Sequence, residues 1–303
     1  MVNDVIGNYL QYADTKVNPQ ALFITSIEET TRFKYEGSLS GITSIEGIDA
    51  GIAFQSGNAL GSLAFFTTSG YSLGKNNKNH SENVANGYMQ DKNDFKNVEI
   101  TFYVKLVNAL SNDFIEVKAR TGRQLGNQNC EGCGVGFEFY YNGKCRPFKD
   151  RRTSDARSYG KMVDTIGDIE GKWIGIKMCF FNTARDSKVK YELFLDTELS
   201  NSWKKYIQEV DDGTGTLGGS GALCNGVVGQ PITFGGPLLF IKYRNVADPY
   251  GIIFKNISIR EIDPRLSVIE REEPILYDQI SVPTAPPADF FRPLGTDTWT
   301  DPP

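Results

Sequence analysis

Bulky and polar side chains alternate along most of this chain with a period of two, as in an extended strand whose successive side chains face opposite ways. In VEITFYVKLV (98–107), Val98, Ile100, Phe102, Val104 and Leu106 fall on one side, with Glu99, Thr101, Tyr103 and Lys105 on the other. DFIEVKAR (113–120) sends Ile115, Val117 and Ala119 one way and Glu116, Lys118 and Arg120 the other. GKWIGIKMCFFNTARDSKVKYELFLD (171–196) carries the alternation on both sides of the polar loop NTARDSK, which predicts a long hairpin. GVGFEFYYNGK (134–144) is an aromatic strand running into Asn142-Gly143, a pair that favours a tight turn. GPLLFIKYRNV (236–246) and GIIFKNISIREI (251–262) complete the series, and LFITSIEETTRFKYEG, GIDAGIAFQSG and GSLAFFTTSGYSLG predict shorter strands upstream.

Strands punctuated by Gly, Asn and Asp, with no helical pattern between them, predict an all-β fold built as an antiparallel sandwich. Two short segments compete with this reading: VIGNYLQYA near the start favours a helix, and NSWKKYIQEV fits either a helical turn or a strand. The glycine-rich stretch within 205–236 is too long for a hairpin turn, and loops of that length usually carry function or assembly. From Pro264 the chain turns proline-rich, which disfavours central strands, yet it keeps Ile275, Leu276, Tyr277, Phe290, Phe291 and Trp299. The expected organisation is an N-terminal arm over 1–25, a sandwich over 26–264, and a C-terminal Pro-rich arm over 265–303 that packs on its own domain or on a neighbour.

The net charge of −5 argues against nucleic-acid recognition, which needs a basic surface, but leaves room for a local basic groove facing an acidic polysaccharide. No apolar run reaches the roughly 18–20 residues of a membrane span, and the first residues show no basic and apolar signal-peptide pattern. CEGC (130–133) is a CxxC without a second CxxC, and His80 is the only histidine, so zinc is not expected. Cys179 falls mid-strand and reads as a small buried hydrophobe. Cys130, Cys133, Cys145 and Cys224 lie in loop-rich sequence and are expected to form two disulfides, implying an oxidising compartment.

The block GKWIGIKMCFFN…KVKYELFLD, followed by SWKKYIQEVDDG, GGPLLFIKYRNVAD and FKNISIREIDP, resembles a lectin-like jelly-roll domain of archaeal proteins of uncertain function. That domain is similar to the concanavalin A-like lectin/glucanase superfamily, which includes alginate-lyase-type enzymes. The resemblance spans roughly residues 95–264 and implies a jelly roll of two curved antiparallel sheets, one with a concave face where relatives bind or cleave glycans.

Glucanases of that superfamily set carboxylates alternately along one strand. Here ELFLDTE offers Glu192, Asp196 and Glu198, but Phe194 interrupts the set, and four residues of strand place Glu192 and Asp196 about 13 Å apart. These read as solvated charges. Alginate-lyase-type enzymes use a Gln-x-His strand that this chain lacks. A polysaccharide lyase or glycoside hydrolase acting on an acidic glycan therefore stays as the alternative, and no catalytic residue is named. The favoured reading is a non-enzymatic, lectin-like protein of the extracellular space, cell surface or virion surface. It binds glycan, assembles as a structural subunit of a filament, surface layer or virion, or does both. Its partners would be a glycan or copies of itself, as a homo-oligomer or polymer. Aromatic platforms and planar polar groups suited to sugars are Lys118, Arg120, Arg123, Gln124, Tyr140, Arg146 and Trp173. No cofactor is required. A calcium site is possible at Asp211, Asp212 and Asp248, which sit in VDDG and VADPYG beside backbone carbonyls, although Asp-Gly and Asp-Pro also mark plain turns.

Overall fold

The computed structural model describes residues 9–11, 21–26, 28–30, 32–37, 41–47, 51–55, 57–67, 94–110, 112–122, 132–151, 157–183, 186–221, 227–246 and 251–267. Its strands begin with β1 (Tyr9–Gln11), β2 (Ala21–Ile24), β3 (Phe33–Gly37), β4 (Gly41–Ile45), β5 (Gly51–Gln55) and β6 (Gly57–Phe66). Next come β7 (Val98–Leu106), β8 (Phe114–Thr121), β9 (Gly134–Tyr140), β10 (Lys144–Asp150), β11 (Arg157–Tyr159) and β12 (Val163–Asp164). β13 (Trp173–Thr183), β14 (Lys188–Asp196) and β15 (Lys204–Asp211) precede a single helical turn, α1 (Gly215–Gly218). β16 (Leu238–Val246) and β17 (Ile252–Ser267) close the described chain. No helix among the described residues is long and apolar enough to cross a membrane.

The strands form two antiparallel sheets stacked as a sandwich. One has nine strands in the order β15-β14-β13-β7-β17-β5-β4, with β1 and β2 also pairing β17. The other has eight in the order β11-β10-β9-β8-β16-β6-β3, with β12 pairing β10. The expected hairpin is β13–β14, in register from Thr183↔Lys188 to Gly175↔Asp196. Asn142-Gly143 makes the β9–β10 turn: Gly143 has φ +79°, and a Cβ there would lie 1.9 Å from the Gly167 carbonyl oxygen. Rings from the two sheets meet in the core, where Phe137 of β9 lies 5.5 Å from Phe180 of β13. Burying a side chain of that size contributes about 1.5–3 kcal/mol.

The first described strands join the sandwich. Tyr9–Gln11 is strand rather than helix, and β1 and β2 belong to the nine-stranded sheet. The long strand β17 runs beside β7 on one edge, and its other edge is shared in turn by β5, β2 and β1. Pro264 is accommodated within β17 because it falls in the irregularity between the pairs Gln11↔Ile262 and Tyr9↔Ser267, where the ladder is already broken. KKYIQEV resolves as strand β15. The Pro-rich segment from 268 onward lies outside the described residues.

The second face of the central strands is not a wet surface. Glu99, Thr101 and Tyr103 of β7 are buried, as are Glu192 and Asp196 of β14, so the solvated-charge reading of that pair is corrected. Neighbours on the same face neutralise them. Glu99 accepts from Arg260 at 3.0 Å, Glu192 pairs with Lys190 at 2.9 Å and with Lys205 at 3.0 Å, and Tyr103 donates to Asp196 at 3.0 Å. Asp196 also accepts the backbone N–H of Asn201 at 2.8 Å, which ties down the turn after β14. Phe181, Phe194 and Trp203 fill the spaces between these pairs.

Cysteine chemistry is corrected as well. Cys133, Cys145 and Cys179 are buried free thiols, so the expected two-bridge scheme does not form, and its argument for an oxidising compartment goes with it. Cys145 lies on β10 with its side chain in the core, where burial raises the thiol well above its ordinary value. Cys133 donates to the Arg151 carbonyl at 2.8 Å. Cys130 and Cys224 lie outside the described residues.

The glycine-rich segment has a structural task. Its carbonyls meet cations and an amide buried at one end of the sandwich: Gly218 accepts from Arg151 at 3.0 Å, Gly229 from Lys149 at 2.9 Å, Ile232 from Arg120 at 2.6 Å, and Thr233 from the Asn182 amide at 2.6 Å. Gly221 lets the loop lie on the Arg151 guanidinium, since a Cβ there would come within 2.5 Å of Nε.

Candidate functional site

Five successive strands of the eight-stranded sheet, β11, β10, β9, β8 and β16, each place one ring or guanidinium in a row on its outer face. The row is Tyr159, Arg146, Tyr140, Phe114 and Arg244. The alternate residues Ile115, Val117, Phe137, Phe139 and Cys145 point into the core. The Arg146 guanidinium lies 3.6 Å from the Tyr159 ring centroid and 5.7 Å from that of Tyr140. The rings of Tyr140 and Phe114, cross-strand partners, are 5.1 Å apart, and Arg244 sits 5.9 Å from Phe114. At about 4.8 Å between strands, the row runs about 19 Å across the sheet.

Beside it, on the same face, runs a ladder of ion pairs. Glu116 and Glu138 are directly opposed on β8 and β9, and one nitrogen, Nη1 of Arg157, bridges them at 2.8 and 2.9 Å. Glu138 also accepts from Arg146 at 2.8 Å and from the Tyr140 hydroxyl at 3.0 Å. Asp150 takes Lys118 at 2.8 Å and Arg157 at 3.3 Å, and Lys242 lies 3.6 Å from Glu116. This ladder sets the row's geometry: Arg146, 25% exposed, is fixed edge-on by Glu138 while its plane stacks on Tyr159. Fixed guanidinium and ring planes lose little rotamer freedom when a ligand settles on them.

A hollow adjoins these strands, and another opens beside the nine-stranded sheet. One, of about 220 Å³, is lined by Leu60, Phe114, Glu116, Arg157, Lys242, Tyr243 and Arg244. The other, of about 660 Å³, lies between the segments preceding β13 and following β14, where Ile166, Ile174 and Tyr206 face Trp173, Asp168, Lys172 and Glu198.

The residues expected from sequence divide accordingly. Tyr140 and Arg146 stand in the row. Lys118 lies on the same face but is fully buried, held by Asp150 and the Gly132 carbonyl. Arg120 is turned into the core: a left-handed bulge (φ +56°), matched by a register shift opposite Leu238 and Phe240, reverses its direction. It bonds the Asn182 side chain and the Ile232 carbonyl, so it is a structural group. Trp173 belongs to the nine-stranded sheet, where Lys255 covers its ring at 4.0 Å. Arg123 and Gln124 lie outside the described residues. Sequence reading missed Tyr159, Phe114, Arg157 and Arg244, although RSY and the alternation Lys242-x-Arg244 carry the same period-two signal.

Of the calcium candidates, Asp211 is fully buried and paired to Lys149 at 2.8 Å, so an ammonium sits where a cation would bind. Asp212 caps Thr214, accepting from its backbone N–H at 3.1 Å and its hydroxyl at 2.6 Å, as in the plain turn reading. Asp248 lies outside the described residues. Among the described residues no three His, Cys, Asp or Glu side chains cluster as a metal site.

No family model and no curated protein matches the chain. Among solved structures it is similar to the winged bean acidic lectin complexed with methyl-α-D-galactose, at 6% identity over 81% of this chain and 100% of that one, with a TM-score of 0.44. It is also similar to the carbohydrate-binding module CBM66 from Bacillus subtilis, at 8% identity over 76% and 96% of the two chains and a TM-score of 0.41. A third similar structure is the exoplasmic/lumenal domain of VIP36 in a form bound to Ca2+ and Man3GlcNAc, at 11% identity over 76% and 84% with a TM-score of 0.40.

The opposed carboxylates invite a hydrolase reading, which their surroundings oppose. A glycosidase needs one carboxyl kept protonated as general acid. Burial alone would raise Glu116, but the charges of Lys242, Arg157 and Lys118 hold it below the ordinary carboxylate range. Tyr140 fares no better as a lyase base, because burial and the Glu138 carboxylate push its phenol up to about 12.

Proposed function

We propose that the protein is a non-enzymatic carbohydrate-binding sandwich, and that a glycan chain lies across the eight-stranded sheet along Tyr159, Arg146, Tyr140, Phe114 and Arg244. The observation that carries this reading is the five-strand row itself. Aromatic rings receive the apolar C–H faces of sugar rings, and guanidinium edges donate to hydroxyls or to the carboxylates of uronates. The solved structures named above include a lectin complexed with methyl-α-D-galactose and a carbohydrate-binding module. Saturated ion pairs beside the row favour holding over turnover.

Calorimetric titration with a panel of neutral and uronate polysaccharides tests the reading. Saturable binding is expected, and Tyr159→Ala or Arg146→Ala should each weaken it about tenfold, the loss of roughly 1.4 kcal/mol typical of an anchoring side chain. Trp173→Ala, on the other sheet, should leave it unchanged. Saturable binding that survives the double variant Arg146→Ala/Tyr159→Ala, or an absence of binding to every polymer, overturns the proposal.

A further inference from the structure

The hollow of about 220 Å³ shares Phe114 and Arg244 with the row and adds Lys242 and Arg157, which glycan stacking does not use. Lys242 projects into it with 14% of its side chain exposed, and Arg157 and Arg244, 23% and 47% exposed, line the same space. Lys118 and Asp150 lie deeper, behind Arg157 and Glu116. Three cations and the single carboxylate of Glu116 thus surround a space for a few heavy atoms. Arg157 is already held by Glu116, Glu138 and Asp150, so the more exposed Arg244, 3.7 Å from Asp113, is the group that suits a ligand carboxylate, and the amine of Lys242 suits a carbonyl carbon. We propose that this hollow captures small 2-oxo acids by forming an imine on Lys242.

In the step, the nitrogen lone pair of neutral Lys242 forms the C–N bond and the carbonyl electron pair moves to oxygen. That oxygen leaves as water with both amine hydrogens, and Glu116, 3.6 Å from Nζ, accepts the first proton shed. No oxidant or reductant is needed. Burial, with the positive charges of Lys118 and Arg157, lowers the Lys242 ammonium to about 8 although Glu116 opposes the change. An ordinary lysine near 10.4 is less than about 1% neutral at pH 8, so the nucleophilic form is enriched here.

The experiment treats the full chain with glyoxylate and cyanoborohydride at neutral pH and follows each lysine by peptide mass spectrometry. Carboxymethylation of Lys242 is expected at least tenfold faster than that of exposed Lys204. Arg244→Ala should slow labelling by glyoxylate but not by acetaldehyde, which lacks the carboxylate. Equal rates at Lys242 and Lys204 in the folded wild-type protein overturn the proposal, as does acetaldehyde labelling Lys242 as fast as glyoxylate. The readout needs no polysaccharide, so it stands or falls apart from glycan binding.

Discussion

Lys149→Met is expected to destabilise the fold by about 3–5 kcal/mol, a large part of the 5–15 kcal/mol that holds a typical domain together. Lys149 and Asp211 are both 0% exposed and pair at 2.8 Å between β10 and β15. The ammonium is also the donor for the Gly229 carbonyl at 2.9 Å and the Gln230 carbonyl at 3.3 Å. Removing it leaves a buried carboxylate, a buried carbonyl and a partly buried one without their cation. The Gly213 N–H, which donates to Asp211 at 3.1 Å, offsets only part of the loss. Equilibrium urea denaturation should therefore show a much lower midpoint for Lys149→Met. The double variant Lys149→Met/Asp211→Leu should regain most of the stability, because it removes both charges together. A single variant costing under about 1 kcal/mol would show that the pair does not anchor the glycine-rich segment.

That pair also marks where sequence reasoning stopped. Period-two patterning placed β7, β8, β13, β14, β16 and β17, and Asn142-Gly143 fixed one hairpin, because strand alternation and turn chemistry are local. The alternation did not show that both faces are buried. A face reading Glu-Thr-Tyr-Lys looks solvent-exposed until Arg260, Asp196 and Trp203, distant in sequence, come to lie beside it. Arg120 failed for a related reason: a single bulge residue reverses every inference drawn from parity, and a left-handed arginine leaves no mark in composition. Of the proposed row, Tyr140 and Arg146 were visible from the alternation around the hairpin they flank. Tyr159, Phe114 and Arg244 join them only through the strand order β11-β10-β9-β8-β16, which is a property of the whole sheet. The short strand β1 was masked by its helix-like surroundings, since three residues hold no period of their own.

Alkaline unfolding should be abrupt. Tyr103, Tyr141, Tyr191 and Tyr243 are buried, and burial raises each phenol above its ordinary value, aided by Asp196 at Tyr103, Asp113 at Tyr141, Asp211 at Tyr191 and Tyr141 at Tyr243. Among the described residues the hydroxyls of Tyr191 and Tyr243 have no hydrogen-bond partner that would stabilise a phenolate. Above the unfolded value of about 10, the unfolded chain sheds these protons while the native state keeps them. The native state then binds more protons, so stability falls as pH rises. Each site contributes about 1.4 kcal/mol per pH unit, and together the four give roughly 5 kcal/mol per unit, enough to unfold the domain within one to three units above 10. Lys242, Lys118 and Lys149, whose ammonium groups burial lowers, act in the opposite sense below the unfolded lysine value, because there the native state binds fewer protons, but their effect is complete at about 10.4 while that of the phenols continues above it. The phenolate absorbance of these four tyrosines and the near-ultraviolet circular dichroism should therefore change together in one cooperative step. Tyr191→Phe and Tyr243→Phe, which keep the ring and remove the ionising group, should each move that step to higher pH. Smooth titration of every tyrosine near 10, with the dichroism intact, would mean that these phenols reach solvent in the native fold and that the core between Phe137, Phe180 and Tyr191 is looser than its packing implies.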